Sequence, residues 1–195
     1  MAVKSIETAS RILVNSEVVP EQKQKLSRKS TENILFLDFD GVCNSFAHGS
    51  YITHPPEMYG VDPDNIDRVV EICKKGNARI VISSNWRRYG PDYTFSYNGE
   101  TYRNPLVDLY KRIGNLCKEI LSRDLHKAEA IEEWFYLNRN FDGEYAILDD
   151  DPHDAMSTNE QFMKRFGSHF WKTDPRFGLT NQIKNSIINL FNGTK

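Results

Sequence analysis

Three short apolar runs in this chain stop abruptly at residues that carry chemistry. ILFL gives way to Asp38 and Asp40, ARIVI to Ser83 and Ser84, and YAIL to Asp149 and Asp150. Charged side chains are rarely buried without partners, so each transition marks the end of a strand and the start of a loop. In an open α/β sheet, parallel strands deliver their carboxyl ends to one edge, where ligands bind. Residues far apart in sequence therefore converge. Carboxylates drawn together repel unless a cation neutralises them, and an oxygen donor set with no Cys/His cluster beside it favours Mg²⁺ over zinc. Such a setting makes Asp38 a candidate nucleophile. Asp40, two positions on, can protonate a leaving oxygen and then activate water.

The elements that must position these residues follow from periodicity. After the first strand, residues 42–61 carry Gly, Pro, His and Tyr without sustained pattern and read as a long loop. Asp62 or Asp64 can cap a helix whose apolar face is Ile66, Val69, Val70 and Cys73, ended by Gly76. ARIVI is the second strand, and the aromatic, turn-rich stretch from Tyr89 to Asn104 is a loop or small hairpin at the rim. Pro105 starts a helix expected to run through VDLYKRIGNLCKEIL, with Gly114 in its middle. HKAEAIEEWFYLN is the clearest helix, with Trp134 and Phe135 packing the core or its rim. HFWKTD reads as a last short strand and LTNQIKNSIINLF as a closing helix begun by Thr180. Strands separated by helices predict an α/β fold with a mostly parallel central sheet. Residues 1–32 read as an N-terminal helical or flexible extension and 33–195 as the organised domain.

The order DFDGV, ISSN, Lys127 at a helix start and ILDDD resembles the haloacid dehalogenase-like (HAD) phosphohydrolases, from Asn33 to Phe191. The resemblance implies a three-layer Rossmann-like HAD fold and an aspartyl-phosphate on Asp38, with Asp40 as general acid/base. It implies that Ser83 binds the transferred phosphoryl group and that Lys127 steadies Asp38 and the phosphate charge. Mg²⁺ would be held by Asp38, the backbone carbonyl of Asp40, Asp149 and Asp150, the last directly or through water. The SSNWR, HKAEAIEEW, LDDD and TDPRFGLT segments are also similar to the HAD domains of RNA-repair proteins and of some bacterial effector phosphatases.

Asn85 and Arg87 are the candidate substrate-binding residues, Arg87 by receiving a substrate's remaining negative charge. His48, His54 and His153 have nothing that fixes their geometry. Cys43 lacks the compact arginine-bearing phosphate loop of a cysteine phosphatase. Neither stretch between the motifs has room for a large inserted cap, so the site is expected to be open and essentially capless. An open entrance suits a phosphate presented on a macromolecule. The aromatics Tyr51, Tyr59, Tyr89, Tyr93, Phe95, Tyr97 and Tyr102 can line it, stacking a phosphotyrosine ring or a nucleic-acid base.

The 195 residues carry 25 Lys and Arg against 27 Asp and Glu, for a net charge of −2. That balance gives no reason to expect a general nucleic-acid binder. It favours a phosphorylated protein, with phosphotyrosine as the expected substrate. A nucleic-acid terminal phosphatase of RNA-repair type is the alternative, and a phosphoprotein-binding module with weak turnover is a second. Three cysteines without a metal-type cluster suit a reducing compartment. No run approaches the roughly 18 apolar residues of a membrane span, and the opening residues lack a secretory signal. A cytoplasmic monomer is expected, or one delivered to a host cell by a route that reads another feature.

Overall fold

The computed structural model describes residues 32–48, 60–97, 99–151 and 160–194. The expected N-terminal helix, His54, His153, Tyr51 and Tyr59 lie outside them, as does the side chain of Tyr97. Five strands form the central sheet: β1 (Asn33–Leu37), β2 (Ala78–Ile82), β5 (Cys117–Ile120), β6 (Tyr145–Asp149) and β7 (Phe170–Lys172). Their order is β5-β2-β1-β6-β7, and every pairing is parallel. The expected α/β class with a parallel sheet is thus what the chain forms.

Alternation along β1 explains the layers. Leu35 and Leu37 face one side, packing with Ile66, Val69 and Ile72 of helix α1 (Pro63–Lys75), Leu109 of α2 (Leu106–Ile113) and Ile187 of α5 (Asn181–Phe191). Ile34 and Phe36 face the other, against Ala130, Ile131 and Trp134 of α3 (Lys127–Leu137) and Phe162 and Phe166 of α4 (Glu160–Phe166). A strand buried on both faces reads as a continuous apolar run, and β1 does. Asp62 caps α1, accepting from the backbone N–H of Asp64 at 3.0 Å.

One element differs from expectation. The helix from Pro105 was expected to reach residue 121, yet α2 stops at Ile113 and CKEI is strand β5. Gly114 takes φ +52, a left-handed backbone that ends the helix. The chain then re-enters the sheet beside β2, where Cys117 pairs with Ile80. The rim stretch forms a two-stranded antiparallel hairpin, β3 (Thr94–Tyr97) with β4 (Glu100–Arg103). Among the described residues between β2 and α3, only this hairpin, one 3₁₀ turn (Asn85–Arg88), a second (Gly114–Leu116), α2 and β5 are inserted.

Glu71 fastens α5 to α1. It accepts from Lys184 at 2.6 Å and from Lys75 at 2.6 Å. The Lys184 bond first, then that of Lys75, holds its carboxyl at about 2, below an ordinary 4.5. A folded value below the unfolded one stabilises the protein above pH 4.5, and that stabilisation is lost as pH falls toward 2. Glu71→Gln is expected to lower Tm at pH 7, with the gap to the parent closing between pH 4.5 and 2 and shrinking in added salt. Thermal melts across that range test it; a gap independent of pH would assign the effect to packing.

Candidate active site

The sheet's hydrogen-bond ladder runs one residue past β1, β2, β5 and β7. Asp38 donates its N–H to Leu148 O at 3.0 Å, Ser83 to Leu37 O at 2.9 Å, Leu121 to Ile82 O at 3.0 Å and Thr173 to Asp149 O at 2.9 Å. Asp38, Ser83 and Thr173 are thereby levelled along the sheet edge, and Asp38, Asp149 and Asp150 each present an oxygen within 4.8 Å of the others.

Lys127 enters this group from the first turn of α3. Its side chain is 2% exposed, and Nζ lies 2.7 Å from Asp149 Oδ2 and 3.2 Å from Asp38 Oδ2. Burial and the neighbouring Asp38 push the Asp149 carboxyl up, opposed by Lys127 and by the Asp151 N–H, which donates to Asp149 Oδ1 at 3.0 Å. The same burial and the charge of Asp38 bring Asp150 up to about 6. One ammonium thus serves several carboxylates. These oxygen donors fit a hard divalent cation, which would relieve the repulsion that raises both groups.

Asp40 stands apart from that trio. Trp86 Nε1 donates to its Oδ2 at 2.7 Å and Asn44 Nδ2 to its Oδ1 at 3.1 Å. Burial of the carboxyl, then the charge of Asp38, lift it to about 7 despite those two bonds. Asn44 also accepts from the Gly41 N–H at 2.7 Å, and Thr173 Oγ1 donates to Gly41 O at 2.7 Å. Gly41 has φ +64, and a Cβ there would fall on the Asp150 carboxylate, so the turn closes only on glycine.

Ser83 and Ser84 separate cleanly. Ser84 Oγ accepts from the Trp86 N–H at 3.3 Å and caps the 3₁₀ turn. The Ser83 hydroxyl is fully buried and has no hydrogen-bond partner among the described residues. An orphaned buried hydroxyl is costly, so a ligand oxygen at this strand tip is its natural partner.

Arg87, the candidate for receiving a substrate's remaining negative charge, is turned into the protein. It is 1% exposed, and its guanidinium donates to the carbonyls of Ser83 (2.9 Å), Ser84 (3.1 Å), Ser122 (3.1 Å) and Leu125 (2.8 Å), and to Asn85 Oδ1 (3.3 Å). It ties the β2 tip to the loop that leads into Lys127, and Asn85 braces it. Arg88, next in sequence, is the exposed arginine. The Cys43 thiol is buried, donates to Asp38 O at 3.5 Å and is pushed up by burial, which leaves it a poor nucleophile. Trp86, Asn44 and Thr173 were not singled out from the sequence. Their only signal was adjacency to ISSN, DFDGV and HFWK.

The model of the family described as the HAD domain in Swiss Army Knife RNA repair proteins matches residues 34–183. No curated protein matches the chain.

Breaking a buried ion pair by removing one partner typically costs about 3–5 kcal/mol. Lys127→Met is therefore expected to destabilise the metal-free protein by about 3 kcal/mol, and adding Asp149→Asn to recover part of that loss. Urea unfolding of the double variant and of each single variant, Asp149→Asn included, measures the coupling; strict additivity would show that the pair contributes nothing.

Proposed function

The chain belongs to the family of HAD domains found in Swiss Army Knife RNA repair proteins, and on that footing we propose that it is a metal-dependent phosphomonoester hydrolase acting on phosphorylated nucleic-acid ends. The observation that carries the chemistry is Lys127 held between Asp38 and Asp149, with the unpartnered Ser83 hydroxyl ending the adjoining strand. The family's own description moves the substrate away from the protein phosphotyrosine expected on net charge.

In this reading an Asp38 carboxylate oxygen attacks phosphorus while the bond to the leaving oxygen breaks. Asp40 gives that oxygen its proton. Water then attacks the phosphorus of the aspartyl-phosphate, Asp40 takes up its proton, and the P–O bond to Asp38 breaks to release inorganic phosphate. A group lifted to about 7 suits a proton exchanger working near neutral pH. Lys127 offsets charge on Asp38 and on the transferred oxygens, and Ser83 Oγ donates to one of them. Asp38, Asp149, Asp150 and the Asp40 carbonyl would hold Mg²⁺, which supplies Lewis-acid neutralisation of the phosphoryl oxygens. Arg87 acts through structure, holding the Ser83 tip and the Lys127 loop together.

Mg²⁺ is expected to raise Tm by neutralising the carboxylate cluster, and chelation to abolish phosphate release reversibly. Asp38→Asn should remove turnover altogether. Ser83→Ala should lower kcat/KM by about 10- to 100-fold, the worth of a hydrogen bond to a charged oxygen. Phosphate release measured on 5′- and 3′-phosphorylated oligonucleotides against phosphotyrosine and phosphoserine peptides tests the substrate class, and preference for a peptide would overturn it. Ligand binding with no release from the unaltered chain would favour a binding module.

A further inference from the structure

A group of aromatic rings adjoins the site through Trp86, which also meets Tyr89 at 6.0 Å with planes 56° apart. Trp86, whose indole N–H holds Asp40, stacks on Phe95 with ring centres 5.8 Å apart and planes 29° apart. Phe95 stacks on Tyr102 (5.4 Å, 22°) and on Tyr93 (6.3 Å, 28°), and Tyr93 on Tyr89 (4.3 Å, 22°). Core aromatics meet at mixed angles, Phe36 with Trp134 at 88° and Phe135 with Phe166 at 23°. Rings stacked in this way cover one another's inner faces and leave only the outer faces and edges of the group to further flat groups.

Two of these rings are open to water, with Tyr89 45% and Tyr93 37% exposed. The group is also held in shape. Asn104, buried beneath it, donates to the carbonyls of Trp86 (3.1 Å), Tyr89 (3.2 Å) and Gly90 (3.2 Å), and its N–H donates to Tyr93 O at 2.9 Å. Such bracing lowers the ordering cost of binding. Arg88, between Trp86 and Tyr89 in sequence, is exposed and has no acidic partner among the described residues.

We propose that Trp86, Tyr89, Tyr93 and Phe95 form a stacking track for the bases of a single-stranded nucleic acid whose terminal phosphate lies at Asp38, with Arg88 facing its backbone. The proposal rests on the phosphatase reading and goes beyond it by assigning the strand state and the residues that select it. A polymer with a flat base and a negative charge per unit matches a group of rings with a cation beside it. A phosphotyrosine brings one ring, carried on the phosphate's own oxygen, and leaves the rest of the group without an occupant. Duplex ends keep their bases stacked on each other and offer the track nothing.

The test uses the full chain with Mg²⁺. Its substrates are terminally phosphorylated oligonucleotides of increasing length, the same ends within a hairpin duplex, a phosphotyrosine peptide and p-nitrophenyl phosphate. kcat/KM is expected to rise over the first few nucleotides and to drop for the duplex end. Tyr89→Leu and Tyr93→Leu keep apolar bulk but lose the ring face. Each should reduce the ratio of kcat/KM for the oligonucleotide to that for p-nitrophenyl phosphate by about 5- to 100-fold, whereas Tyr89→Phe and Tyr93→Phe preserve it. Separately, 2-aminopurine beside the terminal phosphate should be quenched on binding Asp38→Asn protein, and less so when Tyr93→Leu is added. Length-independent rates without quenching, alongside hydrolysis of p-nitrophenyl phosphate, would sink the track and leave the phosphatase standing. Quenching with no phosphate release from any substrate would do the reverse. A phosphotyrosine peptide that outcompetes the oligonucleotides and loses rate in both Leu variants would give the group to a phosphoprotein and overturn the proposal.

Discussion

The contact on which the arrangement depends is one ammonium shared by two buried carboxylates. Carboxylate oxygens within 4.8 Å of one another repel, when both groups are charged, by about 3 kcal/mol or more per pair at an effective dielectric of about 20. Folding nevertheless brings Asp38, Asp149 and Asp150 together at the sheet edge. Lys127, 2.7 Å from Asp149 and 3.2 Å from Asp38, offsets part of this. It leaves a net negative, oxygen-lined group that a hard cation and then a phosphate can complete. The fold accepts local instability at this edge, and the two apolar layers flanking β1 and β6 supply what holds it.

A shared ammonium works only if three strand tips and one helix start are placed to within a fraction of an ångström. Parallel pairing continues one residue beyond β1, β2, β5 and β7, which levels Asp38, Ser83, Leu121 and Thr173. Two side chains then fix the loops above. Thr173 holds the Gly41 turn from the β7 side, and Arg87 gathers carbonyls from both the β2 tip and the loop before α3. A guanidinium is suited to that second task because its donors fan out in one plane and stay charged. Arg87 is therefore an internal brace, and its charge sits behind Ser83 rather than in front of it.

Much of this was legible in the sequence because strand ends have a grammar. A buried apolar run that stops at an aspartate or serine fixes both the strand and the level of its first polar residue, which is how Asp38, Ser83 and Asp149 could be read together. Lys127 needed the resemblance as well, since a lysine at a helix start is ordinary. What could not be read depends on direction rather than order. CKEI has no alternation that separates a strand from the tail of a helix; the deciding fact is the left-handed Gly114 backbone. Likewise Arg87 and Arg88 are equivalent as letters. A 3₁₀ turn sends one inward to carbonyls and the other to water, and only the tertiary placement of the turn selects which.

Asp38 and Asp40, two positions apart, also show how neighbours divide labour between identical side chains. Asp38 faces the Lys127 ammonium and two further carboxylates. Asp40 faces an indole N–H and an amide, neutral donors that orient it without cancelling the effect of burial, so it is lifted to about 7. In the proposed reaction, environments that differ in this way would separate a nucleophile from a proton exchanger. Trp86 links this division to the surface. The indole that donates to Asp40 also meets Phe95 and Tyr89, so in the proposed reaction a base held at Tyr89 and Tyr93 would adjoin the same group of rings that orients the acid.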